Sequence, residues 1–291
     1  MLPLWAGCAD VTPRQPVDPA MLDDFDGAAL DPELWQVADR QWGGPDSGGV
    51  RPENVALRGG KLVLTAHGDH WTAGPVGSNP DGTDRTHGRR VGGAIATRAY
   101  FGSGRFEIRM KVAPTLGVCS AAWTFSYQEL YPGEPGFDGA GSYQVVNHEI
   151  DVELPGRTGA RTDDPSFDHL LATSWVGVEP QEYRTTFAPV GPQDDGAFHD
   201  YAIEWHTGSA DQAPRVEWFV DGDSVAVERE VVPTHTGRLW LGAWFPDGWA
   251  GEPAFAESEL LVEHVRYTPF GEAGDEWVAE SYPDDGWASG W

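Results

Sequence analysis

Lysine is almost missing from this chain: Lys61 and Lys111 stand against seventeen arginines in 291 residues. Basic residues of either kind are outnumbered by 46 acids, for a formal charge of −27. Such a surface repels phosphate backbones and anionic lipid, which excludes nucleic acid and membrane surfaces as partners. It suits a salty medium, where screening relieves self-repulsion. Cysteine is equally scarce. Cys8 and Cys119 build no disulfide framework, and Cys119, in an apolar run, reads as a small buried hydrophobe. No stretch is long and apolar enough to be a membrane span. Sustained helical periodicity is lacking too. Ser-His-Asp, zinc-hydrolase and phosphate-loop motifs find no match.

What the chain does hold is 14 Trp, 37 Gly and 23 Pro. Tryptophan offers a flat apolar face that stacks on the C–H face of a sugar, plus an N–H donor. Most of these rings should fill a core, and a few should line a site.

Read in order, residues 1–20 carry four prolines and no period, and form an arm or tether. Within it Leu4–Asp10 (LWAGCAD) resembles the end of a bacterial lipoprotein signal. The expectation is a start inside a longer signal and a lipid anchor at Cys8. Strands are expected at Val55–Leu57 and Lys61–Thr65 around Gly59-Gly60. His67 to Arg90 is polar; His67, Asp69, His70, Asp81, Asp84 and His87 show no metal-ligand spacing and read as a solvated loop. Gly104–Val112 alternates apolar and charged residues strictly, as a half-buried strand does. Val118–Tyr127 is nearly all apolar or small, hence buried on both faces. Further strands are expected at 169–176, 199–206, 215–220, 224–228, 238–245 and 260–267, with Asp221-Gly222 turning a hairpin. Residues 271–291, with six acids and four aromatics, read as an acidic tail. About ten strands with short connections predict an all-β fold. It is a two-sheet antiparallel β-sandwich wound as a jelly roll, a single domain over 21–270.

One stretch stands out chemically: Asn147-His148-Glu149-Ile150-Asp151-Val152-Glu153-Leu154-Pro155-Gly156. Alternate side chains of a strand point to opposite faces. Glu149, Asp151 and Glu153 therefore share one face, while Ile150 and Val152 anchor the other. Three like charges on one face raise each other's cost of ionisation, which is poor for stability but separates the pKa values of an acid and a base. The outer α-carbons lie about 13 Å apart. Inward-leaning glutamates can then reach the roughly 5–5.5 Å carboxyl separation of a retaining glycosidase.

Together these segments resemble glycoside hydrolase family 16, the laminarinase and lichenase group with a concanavalin-like jelly roll. The resemblance runs through Phe25-Asp26-Gly27 to Trp35, Pro52–Val55, Gly60–Ala66, Gly104–Lys111 with Trp123, the acidic strand, Phe198–Trp205 and Val216–Gly222. It implies that Glu149 is the nucleophile, Glu153 the general acid/base, and Asp151 a hydrogen-bonding partner that tunes the pair. One residue between Asp151 and Glu153, as in lichenase-like and plant transglucosylase-like members, implies a strand without a bulge. Trp123, Trp175, Trp244 and Trp249 are candidates for sugar stacking, Asn147 for a sugar hydroxyl; His148 points away and is structural. No cofactor is required. Some members hold a structural calcium on the convex face, and Glu263 stands where an aspartate often helps, which weighs against calcium here. The implied activity is endo-acting hydrolysis of a β-1,3- or β-1,3/1,4-glucan. Alternatives are a galactan hydrolase (agarase- or carrageenase-like), a transglycosylase on the same residues, or a non-catalytic carbohydrate-binding protein. The expected setting is extracellular or cell-surface, the expected state a monomer, and the expected partner a polysaccharide.

Overall fold

The computed structural model describes residues 21–40, 47–73, 90–139, 141–157, 166–178, 180–278 and 280–281. The expected arm, the anchor at Cys8 and most of the polar loop (Asp81, Asp84 and His87 among it) lie outside the described residues. Along the chain the strands are β1 Leu22–Asp23, β2 Trp35–Val37, β3 Ser47–Val50, β4 Val55–Leu57, β5 Leu62–His67, β6 Arg90–Thr97, β7 Gly104–Lys111 and β8 Cys119–Leu130. There follow β9 Gln144–Leu154, β10 His169–Val178, β11 Glu182–Pro189, β12 His199–His206, β13 Arg215–Val220, β14 Asp223–Glu228, β15 Arg238–Trp244 and β16 Glu257–Pro269. The single helical element among the described residues is a 3-10 turn at Pro52–Asn54.

Two layers result. The front sheet runs β11-β10-β9-β8-β15-β6, and the back sheet β5-β16-β7-β12-β13-β14. Pairing is antiparallel throughout except for the short β3 beside β6. The layers meet at one edge, where His67 of β5 pairs with Val91 of β6. Between them lies the core, to which β9 gives Ile150, Val152 and Leu154, β7 gives Phe106, Ile108 and Met110, and β12 gives Tyr201, Ile203 and Trp205. Burial along β7 alternates residue by residue, as its apolar-charged pattern requires. The β13–β14 hairpin turns on Asp221 and Gly222, both at positive φ (51° and 89°), as a type I′ turn needs.

Strands that the pattern missed have identifiable reasons. β6 (RVGGAIAT) is made of small residues because neighbours come close: a Cβ on Gly92 would fall 2.0 Å from the Ala243 carbonyl. β11 is an edge strand whose residues are mostly exposed, so it carries no apolar alternation. The described part of the expected tail is seated on the body. Asp275 accepts from Ser103 N at 2.8 Å and Thr207 Oγ1 at 2.7 Å, and buried Glu280 accepts from Tyr100 Oη at 2.9 Å.

Candidate active site

The ladders on either side of β9 carry no register shift, so the acidic strand is regular. That regularity sets three rows across the front sheet. Glu149 stands between Phe125 of β8 and Trp175 of β10. Asp151 stands between Trp123 and Thr173, and Glu153 between Ala121 and Leu171. The rows continue onto β15 as Arg238, Trp240 and Gly242, and onto β11 as Tyr183, Thr185 and Phe187. From the back sheet, the indole N–H of buried Trp218 crosses the core to the Asp151 carbonyl at 2.8 Å. This bond ties the middle of the acidic strand to the opposite layer.

Above the acids lies a cleft of about 530 Å³, lined by all three carboxylates together with Trp123, Trp175, Trp244, Trp249, Arg157 and the outward residues of β10 and β11. Each expected stacking ring is therefore at the cleft. Trp123 packs nearly parallel to Trp240, centroids 5.7 Å apart, and Trp249 meets Trp244 edge-on at 5.8 Å. A Cβ on Gly242 would come within 3.0 Å of the Trp123 ring, so this glycine makes room for that ring to lie down. Asn147, expected against a sugar, is not among the lining residues; its amide donates to Glu149 Oε2 at 3.0 Å. His148 is on the other face, where its Nδ1 accepts from the Thr234 and His235 amides at 3.1 and 3.2 Å. Burial pushes its pKa down to about 3, so the ring is neutral.

Burial raises all three acids. Asp151 is raised most by desolvation, then by the charges of Glu149 and Glu153. It keeps its proton well above the usual carboxylate range, against the pull of the Trp175 Nε1–H 2.9 Å from Oδ2. Protonated Asp151 donates to Glu149. Burial lifts Glu149 to about 7, opposed by the Asn147 and Asp151 hydrogen bonds. Glu153 is pushed higher, to about 8, by burial and then by the Glu149 charge. The Cys119 thiol, 3.8 Å from Glu153 Oε1, works the other way. Two outer glutamates with unlike proton affinities, bridged by a protonated aspartic acid, make a base or nucleophile beside an acid.

Several of these residues were invisible to pattern reading. In the sequence Cys119 looks like a small buried hydrophobe, and nothing around Trp218 points to the acidic strand. Arg157, which follows the Pro155-Gly156 turn, brings a guanidinium into the cleft; its Nε is buried with no hydrogen-bond partner. On the convex side Glu263 is flanked by Arg109 at 2.7 Å and Lys61 at 3.3 Å. Its carboxylate is thus engaged by two cations.

The family model for glycosyl hydrolases family 16 matches residues 65–259. A β-glucanase of Acetivibrio thermocellus is 25% identical over 252 residues, covering 83% of this chain and 61% of that protein. The chain thus spans less than two thirds of that relative's length. A β-glucanase of Rhodothermus marinus is 26% identical over 272 residues, covering 84% and 82%. Among solved structures, a β-1,3-1,4-glucanase (lichenase) derived from a mouse hindgut metagenome matches with a TM-score of 0.57 at 22% identity, over 87% of this chain and 100% of that one. The catalytic domain of an endo-1,3-β-glucanase (laminarinase) from Thermotoga petrophila matches at 0.59 and 20% identity, over 86% and 97%. At these identities the structural likeness shows the jelly-roll fold.

Proposed function

The chain belongs to glycosyl hydrolases family 16, and from that premise we propose that it is a retaining, endo-acting β-glycanase whose first substrate is a β-1,3- or β-1,3/1,4-glucan. The observation that carries the reading is the arrangement of Glu149 and Glu153 on one strand face, two rows apart, at the base of a tryptophan-walled cleft. Ionised Glu149 attacks the anomeric carbon while protonated Glu153 gives its proton to the departing glycosidic oxygen. The bond to the leaving sugar breaks as the glycosyl ester on Glu149 forms. Glu153, now a carboxylate, takes a proton from water; the water oxygen attacks the same carbon and frees Glu149. Asp151 and Asn147 hold Glu149 in place by hydrogen bonds and keep its pKa below what burial alone would produce. Neither donor is consumed. A polymer substrate cannot cross a membrane intact, so the enzyme works outside the cell, with Cys8 as a candidate anchor point.

A second reading, a sulfated galactan, is favoured by Arg157, whose guanidinium lines the cleft. Arginine pairs readily with planar or tetrahedral anions. Hydrolysis of laminarin, lichenan, agarose, carrageenan and porphyran, with product sizing, tests both. Release of mixed oligosaccharides from laminarin or lichenan supports the first reading. Cleavage confined to agarose, carrageenan or porphyran selects a galactan, its sulfated form where agarose is spared, and no cleavage at all leaves a carbohydrate-binding protein. Glu149→Gln should remove hydrolysis by at least about 10³-fold while leaving a folded protein.

A further inference from the structure

Aromatic rings at the two ends of the front sheet have opposite surroundings. Toward β6, Trp240 and Trp123 are only 5% and 6% exposed. Ala38, Val50, Ala94 and Ala96 pack with them, and the guanidiniums of Arg40 and Arg238 lie 5.7 and 5.5 Å from the Trp240 ring. Toward β11, Tyr183 and Phe187 are 52% and 48% exposed, and both line the cleft that holds the acids. Exposed aromatics on an edge strand invite aggregation; Glu182 and Arg184 charge the alternate positions of β11, and its cleft-facing aromatic row is bare. Here it is kept, and it is rigidly backed. Tyr183 stacks on Trp175 with centroids 4.4 Å apart and planes 24° from parallel. Trp175 is itself pinned by its bond to Asp151 Oδ2. In the next row, between Tyr183 and Phe187 along β11, Thr185 and Thr173 share a hydroxyl hydrogen bond of 3.1 Å. Tyr183 and Phe187 stand four positions apart on the strand, about 13 Å, enough for each to meet a different sugar unit.

We propose that Tyr183 and Phe187 form an outer sugar-binding platform, which grips the polysaccharide over β10 and β11 beyond the bond being cleaved. The proposal rests on the glycanase reading above and adds where the rest of the chain lies. The ligand class is a β-linked pyranose chain that turns C–H faces to the rings and keeps its hydroxyls in water. Continuity with the acid cleft argues for this occupant. A second copy of the protein is disfavoured by the mutual repulsion of chains each carrying −27.

The test uses Tyr183→Ala, Phe187→Ala, the double variant and Tyr183→Phe in the full chain. Hydrolysis is measured on β-glucan oligosaccharides of increasing length, and binding of the same series is measured in the Glu149→Gln background. The alanine variants should lose kcat/KM progressively with chain length, to about three- to tenfold per ring on the longest. Tyr183→Phe should retain most of it. An equal loss at every length, or none, overturns the platform while hydrolysis by the wild type leaves the glycanase reading standing. Binding that depends on Tyr183 without any hydrolysis by the wild type would do the reverse. Neither binding nor cleavage of any glycan sinks both. A wild-type dimer that the double variant dissolves, with unchanged oligosaccharide kinetics, would make β11 a subunit interface and end the proposal.

Discussion

At the scale of single residues, the proton inventory of the acidic strand sets the working pH. In the proposed mechanism Glu149 works ionised and Glu153 protonated, and burial raises their pKa values to about 7 and about 8. kcat/KM should therefore follow a bell in the neutral range, whose two limbs belong to the interacting set. Cys119 lowers the Glu153 pKa. Cys119→Ala should move the alkaline limb to higher pH and leave the acid limb in place, a result read from the pH profile. Stability must carry the opposite burden. Because these pKa values are raised on folding, the native state holds more protons than the unfolded chain from about pH 4.5 upward. Their contribution to unfolding free energy falls as pH rises through that window, and the penalty is complete only above about 8. Glu153→Gln should accordingly be more stable than wild type by about 1–2 kcal/mol near pH 9 and nearly equal near pH 4. Urea unfolding at the two pH values checks it.

Elements hold those residues in register. β9 was legible because its acids alternate with Ile150 and Val152, and the structure keeps that alternation without a bulge. β7 and β12 were legible for the same reason. β11 was not, since an exposed edge strand has no apolar face to betray it. Yet it supplies Tyr183, Thr185 and Phe187 to the cleft. The bond from Trp218 to the Asp151 carbonyl joins β13 to β9 across the core. Trp218→Phe should cost about 1–2 kcal/mol in urea unfolding and lower kcat more than it raises KM. On β15, Gly242→Ala would drive a methyl against the Trp123 ring. Weaker substrate binding with near-wild-type unfolding is the expected outcome, measured by titrating oligosaccharide into a Glu149→Gln background.

For the whole molecule, charge is the dominant global property. Described ion pairs such as Arg105–Glu204 and Arg109–Asp200 are local and partly wet, and each contributes little. The excess of 27 negative charges acts over longer distances and opposes compactness. Salt screens the second effect more than it weakens the first. The thermal midpoint should rise by about 3–6 °C between low salt and 0.5 M NaCl, where the Debye length shrinks to about 4 Å. Scanning calorimetry decides the sign.

Alternation alone was enough to put Glu149, Asp151 and Glu153 on one face of one strand, because a strand's side-chain period is local and independent of what surrounds it. Collinear motifs were enough to suggest the family. Only the tertiary structure decided how deeply each acid is buried, which rings are bare, and that Arg157 and β11 line the cleft while Cys119 and Trp218 bond to the acidic strand. Those properties come from desolvation and contact between strands far apart in sequence. Trp240 and Tyr183 differ in exposure because of what lies over them, and no local pattern around either residue encodes its cover.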